Sequence, residues 1–366
     1  MDMNLPEKMR RDSNIELLRI VSMLGIVLFH FYYHGDFPIS PDFFLKNLTM
    51  QMIGCGGKIG VDIFVLISGY FLVGQRFKPL KILRFLSCTF FWGLAILFFA
   101  FHILHIPVPE AMIAKSLSPL KPEPWFAQAY LYLLFLYPWL NRLISRCGRK
   151  GCGILIAVMT VVFYLIPTVT GHQFGGGHIG ILLLFSTLYL VGGYLRLYSD
   201  AALERRLKRF GLGAAVFLAG TFIRADLLGV SDLLYLEKDR VLYFAVHNFS
   251  IVALLIAVGV FVKFRQLQLG YHGWINNVAK MTFGVYLIHD SGILREWLWN
   301  TLLKVGTFYH SQWFIIDMVL ISTGVFLVCA GLEFLRYYFL ERPVFAVAGR
   351  VDWNHFRARI KKTTGF

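Results

Sequence analysis

Two residues eleven apart carry the first chemical signal in this chain. Arg19 and His30 both stand in an apolar stretch, 15–34. If that stretch is a helix, eleven residues make about three turns, so the two side chains lie within roughly 20° of each other and ~16 Å apart along the axis. Glu16 falls one turn below Arg19 on nearly the same face. A charged group in an apolar helix must face protein or a water-filled path, so one stripe of this helix lines an interior. An imidazole there is suited to taking a proton from a hydroxyl.

The next intruder is Asp62, in Gly60-Val61-Asp62-Ile63-Phe64. Placed on the following helix at the depth of His30, it would hold the imidazole in one tautomer and raise its basicity. Asp62 suits equally well the first turn of its helix, or a pair with Lys58; both readings stay open. Lys81 and Arg84, three residues apart at the start of the third apolar stretch, make a basic pair able to grip phosphates, although ordinary positive flanking of a membrane span also explains them. His102 and His105 lack a third ligand at metal spacing, and the five cysteines show no paired pattern, so no metal site is assigned. His172, His178, Asn248 beside His247, and His289 beside Asp290 fall at or near the outer ends of apolar stretches, where they could line a groove for an acceptor.

Elements that position such residues follow from composition. Of 366 residues, 57% are hydrophobic and 16% charged, yet the net charge is +15. A soluble fold this apolar would expose too much hydrophobic surface, and disorder requires the opposite composition. The expected fold class is all-α, a polytopic membrane protein of about ten transmembrane helices: 15–34, 60–73, 82–105, 125–140, 153–169, 179–197, 210–225, 241–262, 278–294 and 312–335. With the N-terminus in the cytosol, and residues within two positions of a span's end counted with the adjoining segment, 26 of the 36 Lys and Arg fall on inside segments and nine on outside ones, leaving Arg19 within a span. That alternation obeys the positive-inside rule and puts both termini in the cytosol. The chain reads as one membrane domain, 1–344, with a basic cytosolic tail, 345–366, attracted to anionic lipid.

These motifs together resemble the acyltransferase-3 family of membrane-bound O-acyltransferases. The resemblance rests on Arg19 and His30 in the first helix, on Gly60-Val61-Asp62 leading to Ser68-Gly69-Tyr70, and on Lys81 and Arg84. It rests further on the run Thr282 to His289 and on Glu341-Arg342-Pro343. Two positions depart from common family patterns: Ser87 where a proline often stands, and Tyr130 five residues after Trp125 where one branch has glutamate. Pro124-Trp125-Phe126 looks like the branch that modifies bacterial exopolysaccharides and cell-envelope glycans.

The resemblance implies acyl transfer, most simply of acetyl, from a cytosolic acyl-CoA to a hydroxyl of a glycan or lipid-linked sugar at a bacterial plasma membrane. No cofactor is bound permanently; acetyl-CoA is a co-substrate. His30, Asp62 and Arg19 are the implied catalytic residues. Lys81, Arg84 and Arg19 would bind the donor, and Tyr70, Trp125, Asn248 and His289 the substrate. Partners are the lipid bilayer, the donor and the sugar acceptor, with no nucleic acid; a homo-oligomer is compatible. The alternative is a transporter or exporter of an acylated or anionic small molecule, since intramembrane Arg, His and Asp also serve proton coupling. Against it, no pair of broken helices recurs in the two halves.

Overall fold

A computed structural model describes residues 13–37, 44–118, 120–171, 177–227 and 250–348. Every regular element among them is helical: α1 (Ser13–His34), α2 (Phe44–Leu72), α3 (Pro79–His102), α4 (Glu110–Ser116), α5 (Trp125–Thr160), α6 (Ile166–Thr170), α7 (His178–Tyr198), α8 (Ala201–Leu227), α9 (Ile251–Arg265), α10 (Gly273–His289), α11 (Phe314–Arg336) and α12 (Arg342–Ala348). Short π-helical turns follow α5 (Val161–Leu165) and α11 (Tyr337–Glu341). In a bilayer every backbone group must be satisfied within the chain, and helices do this locally.

Among the described residues, six helical segments are long and apolar enough to cross a membrane: Ser13–His34, Leu45–Leu72, Pro79–His102, Trp125–Thr170, His178–Tyr198 and Phe314–Ala346. The ten expected spans map unevenly onto these. Residues 125–140 and 153–169 fall within one helical stretch, which turns at Gly148 with φ +63°, a conformation open to glycine and strained for other residues. The expected spans 210–225 and 278–294 correspond to α8 and α10, neither of which is among the six. Span 241–262 corresponds only in part to α9, its first residues lying outside the described ones, as do residues 349–366 of the expected tail. The second span starts much earlier than expected, at Phe44, which puts Lys58 and Asp62 in the middle of a helix.

Helix α1 is the centre of the bundle, packed against α2, α9, α10 and α11. Asn14 pins its lower end: its Nδ2 reaches the carbonyls of Phe264, Arg265 and Leu267, each at 3.1 Å, where α9 runs out of partners of its own. Lipid gives helices little hydrophobic reason to associate, so close approach through small residues matters more than in water. The α1–α2 seam is built that way. A Cβ at Gly60 would lie 2.8 Å from the Ser22 carbonyl, and one at Gly57 would lie 2.4 Å from the Phe29 ring. The two helices are therefore antiparallel, with residue 60 level with 22 and residue 57 near 29.

The α2–α7 contact is tighter still. A Cβ at Gly69 would come 2.3 Å from the Tyr189 carbonyl oxygen, and one at Gly192 equally close to the carbonyl oxygen of Leu66. Gly69, in the Ser-Gly-Tyr motif, is thus a packing residue. Gly69→Ala is expected to destabilise the protein by about 1–3 kcal/mol, the usual cost of overpacking. Gly220→Ala, whose Cβ would meet nothing within 4 Å, is expected to be neutral or mildly stabilising. Thermal unfolding of both variants in the same detergent checks the pair.

Candidate active site

Helix α1 delivers His30 to a junction with the end of α10, where it is 7% exposed. Its Nδ1 lies 2.8 Å from Nε2 of His289. Nδ1 of His289 in turn lies 2.6 Å from the Val285 carbonyl oxygen, one helical turn back. A carbonyl can only accept, so His289 donates from Nδ1. In its neutral form, Nε2 of His289 is then bare and accepts from the Nδ1–H of His30. With both rings neutral, Nε2 of His30 carries the lone pair. The relay thus fixes the tautomer that a general base needs.

That lone pair faces Asp290 Oδ1 at 3.5 Å, and the same oxygen lies 3.1 Å from Nε2 of His34, one turn beyond His30 on α1. Asp290 follows the last residue of α10, its backbone N–H still bonded to the Tyr286 carbonyl. Glu123, from the segment before α5, holds the following loop by accepting the Gly292 N–H at 3.0 Å. Burial pushes the Glu123 carboxyl above its ordinary range.

Asp62 does not orient His30. No hydrogen bond or ion pair joins the two among the described residues. The helix pairing explains why: Gly60 is level with Ser22, so Asp62 is level with Ile20, nearly three turns below His30. Its electrostatic neighbour is Lys58, which also lies within range of Asp290 and has its Nζ 5.0 Å from the Trp125 ring centroid. Trp125 is therefore at the His30 end. Tyr70 is not: it packs on Phe261 with Arg196 over its ring, ten residues further down α2 than Gly60. His289 is fully buried with both nitrogens engaged, so it positions His30 and has no atom left for an acceptor. Asn248 lies outside the described residues.

Toward the other end of α1 is a cavity of about 300 Å³, lined by Arg19, Arg84, Lys280, Arg336, Glu333 and Glu341 with Ser68, Tyr130 and several aromatic rings. Four cations against two carboxylates leave this lining at a net +2. Arg336 takes up both carboxylates: it holds Glu333 through Nε at 2.8 Å and a terminal nitrogen at 2.7 Å, and Glu341 at 2.5 Å. The π-helical turn Tyr337–Glu341 brings Glu341 back to it. Arg19 is 3.5 Å from Glu16. Arg84 lies over the Phe345 ring and has no carboxylate partner among the described residues. Lys81 points elsewhere, donating to Gln75 Oε1 at 3.1 Å, and does not line the cavity. Tyr130, where one branch has glutamate, meets Ser68 Oγ at 3.1 Å.

One family model, described as an acyltransferase domain, matches residues 12–334. The chain belongs to the acyltransferase-3 family. No curated protein and no solved structure shows significant similarity to it. This acyltransferase therefore carries out acyl transfer with a multi-pass helical domain. The residues whose place beside His30 or in the cavity the sequence did not assign are His34, Asp290, Lys280, Glu333 and Arg336. The signal for the first two was present as His30 and His34 at helical spacing and as the His289-Asp290 pair. Nothing local marked the others.

His289→Ala removes the acceptor for the His30 Nδ1–H. It is expected to lower kcat about 100-fold with donor KM unchanged. His289→Gln, which restores an acceptor oxygen, is expected to recover part of the loss. Steady-state kinetics of the two variants in vesicles make the check.

Proposed function

We propose that this protein moves an acyl group, most simply acetyl, from cytosolic acyl-CoA to a hydroxyl of a glycan or lipid-linked sugar at the cell membrane. The observation that carries this reading is the layout along α1. A basic cavity beside Arg19 and a bare imidazole nitrogen at His30 are ~16 Å apart on one helix face. An extended pantetheine arm is of that order, so phosphates held at Arg19, Arg84 and Lys280 would bring the thioester to His30.

In the reaction so read, Nε2 of His30 takes the hydroxyl proton as the oxygen attacks the thioester carbonyl. The tetrahedral intermediate collapses, the C–S bond breaks, and the proton on His30 passes to the departing CoA thiolate. The products are the acyl ester and free CoA. Asp290 stabilises the transient imidazolium across 3.5 Å. Ten spans with both termini cytosolic, a domain over 1–344 and a basic tail over 345–366 belong to the same proposal. They are supported by the charge alternation and place the basic cavity on the cytosolic side.

Three measurements test it. Mass spectrometry of surface glycans with and without the gene is expected to show loss of one acyl group. In the purified protein, Arg84→Ala is expected to raise the KM for acyl-CoA about tenfold with little change in kcat, the pattern of lost uniform binding. A His30→Ala variant that inserts normally and keeps full transfer activity would overturn the mechanism.

A further inference from the structure

We propose that His30, His34 and Asp290 form a reversible site for a divalent cation of the zinc type, and that the bound ion switches the transferase off. The switching half rests on the function proposed above; the site itself does not.

One ring nitrogen of each histidine and one oxygen of Asp290 all lie within 4.8 Å of one another. The oxygen is 3.5 Å from His30 and 3.1 Å from His34. A tetrahedral zinc with ligand bonds of about 2.0–2.1 Å has its ligand atoms roughly 3.3–3.4 Å apart. The two observed distances bracket that edge. His30 and His34 are four residues apart on α1, so the helix itself puts both rings on one face, with centroids 5.0 Å apart.

A second observation points the same way. A metal-bound imidazole nearly always donates its other N–H to a fixed acceptor. Here the Nδ1–H of His30 goes to His289, which is itself anchored on the Val285 carbonyl. The result is a lone pair aimed at a carboxylate, with no proton between them when both rings are neutral. Two acceptors face each other, and a cation between them satisfies both. Imidazole nitrogen with one carboxylate suits zinc and its first-row neighbours rather than magnesium or calcium. Three protein ligands leave a fourth position for water.

Occupancy should be reversible rather than permanent. Lys58 lies within electrostatic range of both His30 and Asp290, and its charge opposes a second cation there. The ion would also occupy the electron pair that accepts the hydroxyl proton, so metal and acceptor compete for His30.

The test uses the full chain, stripped with EDTA, in a Cys147→Ser background, since Cys147 is the exposed thiol among the described residues. Calorimetry with Zn²⁺ is expected to show one equivalent bound. Co²⁺ is expected to give the intense visible absorption of a four-coordinate ion. His34→Gln, which keeps the size of the side chain, is expected to weaken binding at least tenfold. It is also expected to raise the zinc concentration for half-inhibition of transfer by a similar factor. EDTA is expected to restore activity to the zinc-treated protein.

Absence of stoichiometric binding, or binding that His34→Gln and Asp290→Asn both leave unchanged, would overturn the site. Zinc bound at the site with transfer unchanged or stimulated would overturn the switch. Zinc bound by a metal-free protein that has no acyl transfer activity would overturn the proposed function and leave the site standing.

Discussion

The bond between the Val285 carbonyl and Nδ1 of His289 sets the polarity of everything above it. A backbone carbonyl has no hydrogen to give, so the direction of donation is fixed at that atom and propagates through two imidazoles to Nε2 of His30. Such a relay is stable only where water cannot supply alternatives. His289 is fully buried, and in apolar surroundings an unmade hydrogen bond costs about 1–3 kcal/mol. The helix pays that cost in neither tautomer-fixed ring. The consequence is an imidazole whose electron pair is set by the last turn of α10, a helix distant in sequence from α1.

The glycine seam decides which carboxylate can reach that imidazole. Small residues on α2 let it slide close to α1 with Gly60 level with Ser22. That register leaves Asp62 too low for His30 and level instead with the region above Arg19. The periodicity of α1 was legible in the sequence, because Arg19, His30 and His34 need only 3.6 residues per turn to share a face. The identity of their partners was not. Asp62 looked level with His30 only because α2 was expected to start at residue 60, and the helix begins sixteen residues earlier. Asp290 and Arg336 come from chain segments more than 250 residues away from α1, and no local pattern relates them to it.

The same limit applies to the spans. Hydropathy marks apolar stretches, and six of those are long helices in the fold. It does not report where a helix ends within a polar run: the first of the two expected spans carries on as helix past residue 140, and the kink at Gly148 divides it from the second. Nor does it set α10, only 17 residues long, apart from the longer helices. Yet α10 is the element that unites both ends of the site: Lys280 and Thr282 line the cavity, and His289, seven to nine residues on, meets His30.

Between those ends stands an aromatic partition. Phe126 packs edge-on against Tyr286 at 5.5 Å and against Phe64 at 6.3 Å, and stacks with Tyr130 at 5.8 Å. Phe64, Phe126 and Tyr130 line the cavity, whereas Tyr286 is one turn short of Asp290. On the proposed reading this partition answers a chemical problem. A thioester beside a bare imidazole would be hydrolysed by any water that followed it in, since the base does not distinguish a water proton from a sugar hydroxyl proton. Rings that close around a narrow acyl arm pass the thioester and exclude bulk water from the cavity side. The acceptor must then approach from the other side, past Trp125 and His34. On that reading, a charged cavity and an imidazole on one helix face, with rings between them, separate binding from chemistry.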